Sequence, residues 1–128
     1  MKINLLILAL LLGFLYSYSN SDYKMEAHEE MAMNQIINDI YKSDFTNQYT
    51  CDSVVLYSKG KITEKVCQDK LNQTNEHCAS LAKTSVVALS TQEHAKDLVQ
   101  ILVTCPVAKM LGYPYEIING KAVMQTPN

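Results

Sequence analysis

Residues 65–106 read KVCQDKLNQTNEHCASLAKTSVVALSTQEHAKDLVQILVTCP, and the fold turns on how Cys67, Cys78 and Cys105 sit in that stretch. Cys67, Leu71, Thr74, Cys78, Leu81 or Ala82, Ser85 and Leu89 recur at steps of three and four. No Pro or Gly falls between residues 62 and 89, so this span is expected to be one helix carrying those positions along one face. A continuous helix rises ~1.5 Å per residue, which sets Cys67 and Cys78 about 16 Å apart along the axis, whereas a disulfide spans only ~7 Å between Cα atoms. A 67–78 bridge is therefore excluded.

Ser90-Thr91-Gln92-Glu93 has the form of a capping box, with the Ser90 side chain expected to cap the Glu93 N–H. Ala95, Leu98, Val99, Leu102 and Val103 then give a second helical apolar face. If the chain reverses near Ser90, the helices run antiparallel and Cys105 faces residues 76–78. The same reversal around Gly60 sets Cys51 opposite Cys67. The expected pairing is Cys51–Cys67 and Cys78–Cys105.

Working outward, Asp22 to about Lys42 reads as an amphipathic helix. Met25, Ala32, Ile36, Ile37 and Ile40 face inward, and Glu26, Glu29, Glu30 and Asn34 face water. Ser43 to Thr50 reads as a polar loop. Residues 51–59 suit a strand leading into a Ser58-Lys59-Gly60 hairpin loop, or a short helix capped by Thr50 and ended by Gly60; the helix is preferred, because strand pairing would set Val54 against Glu64. Pro106 is expected to end or kink the helix before it, with Val107 to Leu111 adding a turn stopped by Gly112. Tyr115 to Met124, centred on Asn119-Gly120, has the pattern of a short β-hairpin with a type I′ turn. The expected fold is a mainly α, small disulfide-stapled bundle of three to five helices with a short C-terminal β-hairpin.

The first nineteen residues set the compartment. Lys2 precedes an apolar run from Ile3 to Leu15, and Ser17-Tyr18-Ser19 offers small residues for cleavage after Ser19. That run falls short of the ~20 apolar residues that span a bilayer. Residues 1–19 are therefore read as a signal peptide and 20–128 as a single exported helical domain, secreted or periplasmic, with no membrane attachment after cleavage. Four Cys in an oxidising compartment imply disulfides, and their gaps of 16, 11 and 27 residues match no zinc spacing. A domain this small gains much from such staples.

Charge narrows the partners. The chain carries 11 Lys, no Arg and 13 acidic residues, for a net charge of −2. It has no footprint for nucleic acid or an anionic membrane, and no bidentate forks for phosphate.

Few residues suggest chemistry. Met25, His28, Met31 and Met33 are of the types a soft ion such as Cu(I) takes, but their spacing winds around a helix, and they read as core-filling side chains. His77 and His94 are expected on helix surfaces, and a Cys–His nucleophile would need the thiol that the Cys78 bridge removes. Glu93/Asp97 and Asp69/Glu76 read as solvated carboxylates. His28 and Glu29 begin no zinc-protease motif, and no nucleophile elbow or phosphate loop occurs. No metal site, catalytic residue or cofactor is assigned. Asn72-Gln73-Thr74 is an N-glycosylation sequon, of consequence only in a eukaryotic source and poorly used from the middle of a helix.

Tyr113-Pro114-Tyr115 points to contact with a partner, since Tyr buries area and keeps a polar handle, and the acidic helix 22–42 is a second candidate face; the same tyrosines also suit packing of the hairpin. The expectation is a non-enzymatic exported protein that binds a macromolecular partner, most simply a protein, as an inhibitor, immunity-type or accessory factor. The alternatives are a small exported hydrolase using His28, His77 or His94, and a copper- or ligand-carrying bundle.

Overall fold

The computed structural model describes residues 27–125. The leader assigned to residues 1–19, and Met25 and Glu26 of the expected first helix, lie outside the described residues. Within them the chain forms α1 (Ala27–Lys42), α2 (Asp44–Tyr57), α3 (Glu64–Ser85), α4 (Gln92–Leu111), β1 (Tyr115–Ile118) and β2 (Lys121–Met124). The mainly helical bundle, its terminal hairpin and both bridges match the sequence reading.

α3 and α4 form the central pair. Thr63 caps α3 by accepting from Val66 N. Cys67, Leu71, Asn75, Cys78 and Ala82 make its buried stripe. The helix stops at Ser85, earlier than the periodicity suggested, and Val86, Ala88 and Leu89 enter the core from extended chain instead. The cap of α4 also moves by one residue. Thr91, not Ser90, accepts from His94 N, at 3.1 Å, while the Ser90 N–H donates to His94 Nδ1 at 3.2 Å.

Cys51 is bonded to Cys67 and Cys78 to Cys105, with Cα separations of 5.6 and 5.8 Å. Each bridge sits in its own buried cluster: the first with Val54, Leu71 and Val107, the second with Ala108 and Tyr115. The largest cluster joins Ala32, Met33, Ile36, Ile37 and Ile40 of α1 to Leu89, Leu98, Ile101 and Leu102. Tyr41 packs against this cluster and against the one around Cys78–Cys105.

Residues 44–50 are helical, not a loop. Ser43 alone separates α1 from α2 and caps α2 by accepting from Thr46 N. Thr46 and Thr50 look polar in sequence but are buried, and the Thr50 hydroxyl donates to the Thr46 carbonyl at 3.1 Å. Thr50, its hydroxyl satisfied within the helix, buries its methyl as an apolar residue does, whereas the Thr46 hydroxyl is buried without a hydrogen-bond partner.

Pro106 neither ends α4 nor leaves its acceptor orphaned. The helix runs through it to Leu111 and closes on Gly112 at φ 74°, where a left-handed cap suits glycine. The N–H that Pro106 lacks would have served the Leu102 carbonyl, and the Tyr41 hydroxyl donates there instead, at 2.8 Å. Glu29, expected in water, is buried at 1% exposure, with neither carboxylate oxygen hydrogen-bonded.

The hairpin pairs Tyr115 with Met124 and Ile118 with Lys121 in antiparallel register. Asn119 and Gly120 both take positive φ, as a type I′ turn requires. It docks on α4 through Tyr115, Ile117 and Ala122. Lys121 Nζ adds an ion pair to Glu93 at 3.1 Å and to Asp97 at 3.5 Å.

Candidate functional site

α2 is built with its chemistry turned outward. Its buried residues are Thr46, Thr50, Cys51 and Val54, while Phe45 (53% exposed), Leu56 (70%) and Tyr57 (61%) face solvent and Tyr49 is partly exposed. Phe45, Tyr49 and Leu56 stand at steps of four and seven, so they share one face of the helix. Large apolar side chains grouped on a surface mark binding more often than single ones do.

Beside this face lies a groove of about 210 Å³. Tyr49, Ser53 and Tyr57 of α2 form one wall, Val103, Thr104, Val107 and Leu111 of α4 the floor, and Tyr113 and Met124 the far rim. None of these nine side chains is charged, and none belongs to α3. The hydroxyls of Tyr49, Tyr57, Tyr113, Ser53 and Thr104 supply the polar groups. The groove can take an uncharged apolar group and orient it by hydroxyl contacts at its edges.

The structure separates the two tyrosines expected to meet a partner. Tyr113 lines the groove. Tyr115 is 8% exposed, with its hydroxyl 2.9 Å from Thr104 Oγ1 and 3.3 Å from the Ile101 carbonyl, so it anchors the hairpin to α4. Phe45 and Tyr49 were missed because residues 43–50 read as a loop, and Leu56 and Tyr57, within the helix expected over 51–59, then had no partners on their face; taking Ser43 as an N-cap joins the four in one helix.

A second hollow, of about 290 Å³, lies between Ser85–Ala88, His94, Asp97 and the Asn119-Gly120 turn. The His94 imidazole accepts from the Ser90 N–H, and Asp97 contacts Lys121. His77 is exposed on α3. Met31 is 72% exposed while Met33 is buried, so the structure does not bring these two thioethers together. Among the described residues, no group of three or more His, Cys, Asp and Glu converges to hold a metal ion.

Titration is perturbed mainly where the fold is tied. Burial raises the Tyr41 phenol far above its usual range, with Tyr115 adding to the effect. Burial also raises Tyr115, partly offset by its hydrogen bond with Thr104. On the surface, the hydrogen bond from Lys121 lowers Glu93, and Glu93 in turn holds Lys121 up. Between α2 and α3, Asn75 Nδ2 donates to Asn47 Oδ1, and Asn47 Nδ2 to the Tyr41 carbonyl, a polar tie between helices. Comparison with family models, with curated proteins and with solved structures finds no match to this chain.

Proposed function

We propose that this is an exported, non-enzymatic protein that binds a protein partner through α2 and the adjoining groove. The observation that carries the reading is the inversion of α2, which buries two threonines while presenting Phe45, Tyr49, Leu56 and Tyr57. Exposing such side chains costs solubility and gains nothing for the fold. The wall and rim supply three tyrosines, a residue type enriched at interfaces. An uncharged groove favours insertion of an apolar side chain from the partner. Its volume of about 210 Å³ lies below the range of sites for drug-sized ligands.

Export is supported by the two bridges, which persist in oxidising compartments. The leader-like pattern of residues 1–19 supports it too, with delivery to the secreted or periplasmic space. No helix among the described residues is long and apolar enough to cross a membrane.

Site-directed photo-crosslinking tests the reading. A crosslinker at Leu56 is expected to trap one protein from the source's secreted or periplasmic fraction, and one at Gln73 on α3 is expected to trap none. Adducts at neither position, or equal adducts at both, would count against it. A small apolar ligand in the groove is the second reading, favoured by the enclosure between Val103, Val107 and Tyr113. It predicts a co-purifying organic molecule whose loss leaves the crosslinks unchanged.

A further inference from the structure

We propose that Asn72 is a site of N-linked glycosylation, and that the oligosaccharide projects from α3, on a face that takes no part in the groove. Asn72-Gln73-Thr74 is the one Asn-x-Ser/Thr in the chain, and its middle residue is not Pro. Asn72 is exposed, and of its neighbours one helical turn away Gln68, Asp69 and Glu76 are exposed and polar, while the buried Asn75 is polar too and turned toward Asn47 of α2. A bulky hydrated group there displaces no apolar contact. The inference rests on the export reading in its secretory form and not its periplasmic one, because the transferase and its donor act in the secretory lumen.

The position in the middle of α3 sets when transfer occurs. In the folded chain the Thr74 hydroxyl donates to the Lys70 carbonyl at 2.9 Å, and the sequon backbone is helical. The transferase therefore takes the chain before α3 forms. Cys78, six residues beyond Asn72, pairs with Cys105, 27 residues further on. An isolated polar helix is marginal in water, so the sequon stays open until that later segment arrives. Asn72 Nδ2 then bonds to the anomeric carbon of an oligosaccharide carried on a lipid diphosphate. The anomeric C–O bond to the diphosphate breaks, and the proton leaving nitrogen goes with the released lipid diphosphate.

No lining residue of the groove lies on α3, so a glycan at Asn72 leaves the proposed docking face uncovered. It would instead shield α3, whose exposed residues are polar except for Val66 near its start. Expression of the full chain in animal cells, followed by mass analysis of the secreted product, tests the inference. One glycan is expected, released by peptide N-glycosidase, absent from Asn72→Gln and Thr74→Ala, and kept in Thr74→Ser. Secreted, fully bridged protein at the bare polypeptide mass would overturn it. Where the native leader does not deliver the chain in these cells, a host leader replacing residues 1–19 decides the matter: a glycan upholds the site whatever the native leader does, and its absence overturns the site.

Discussion

The Tyr41 hydroxyl donates to the Leu102 carbonyl, the acceptor that Pro106 cannot serve, so a side chain from α1 repairs a backbone gap in α4. An interior proline costs a helix about 3 kcal/mol, part of it the lost hydrogen bond. Tyr41→Phe is expected to leave that carbonyl without a donor and to lower stability by about 1–3 kcal/mol. In a Pro106→Ala background, where residue 106 regains its N–H, the same change should cost distinctly less. A double-mutant cycle by urea denaturation measures the coupling; additive losses would show that Tyr41 acts by packing alone.

The same burial makes the fold sensitive to alkali. Tyr41 and Tyr115 both have folded-state pKa values above those of the unfolded chain, so the native state favours their neutral forms. Their contribution to stability is complete below the unfolded value of ~10 and is lost as pH rises from there toward the folded values. Cooperative unfolding is expected above pH ~10, with the last tyrosinate absorbance appearing together with loss of helical circular dichroism. Tyr41→Phe should remove part of that pH dependence.

The two bridges are expected to contribute unequally. They close intervals of 16 and 27 residues, for which loop-closure entropy gives about 3 and about 3.5 kcal/mol. The Cys78→Ala/Cys105→Ala variant should therefore lose slightly more stability than Cys51→Ala/Cys67→Ala. It should also loosen the hairpin, because Tyr115, Ile117 and Ala122 pack around that bridge. Hydrogen exchange of Glu116 to Val123 distinguishes the two variants.

Much of this architecture was legible because its signals are discrete. Helical periodicity around Cys67 and Cys78, with the reach of a disulfide, removed one of three bridge patterns, chain reversal near Ser90 and Gly60 chose between the other two, and Asn119-Gly120 announced the hairpin. What stayed hidden depended on tertiary contacts. Thr46 and Thr50 count as polar until the helix that buries them is recognised. Pro106 breaks a helix unless a distant tyrosine supplies the donor. Of the proposed docking face only Tyr113 stood out in the sequence, because the α2 stripe makes sense only once Ser43 is known to be a cap.

Glu29 is the sharpest departure from the sequence pattern, and it gives a stability test. A buried carboxylate with neither oxygen hydrogen-bonded costs several kcal/mol if charged. Its place in the first turn of α1 returns only ~0.3–1 kcal/mol through the helix dipole. Glu29→Met, of similar length and apolar, is expected to raise stability at neutral pH by about 1 kcal/mol or more. A lower urea midpoint would mean that the carboxylate has a stabilising role.

The α2 face allows stability and binding to be separated. Leu56 and Tyr57 are mostly exposed, so Leu56→Ser with Tyr57→Ser should change stability by no more than ~0.5 kcal/mol per site. Val54, one turn back and fully buried against the Cys51–Cys67 bridge, should cost about 2 kcal/mol as Val54→Ala. If α2 faces outward in order to bind, the surface pair should abolish partner crosslinking at Tyr113 across the groove. Val54→Ala should weaken the fold and spare that crosslink at temperatures where the protein stays folded. The opposite pattern would mean that α2 serves the fold alone and that the docking face lies elsewhere.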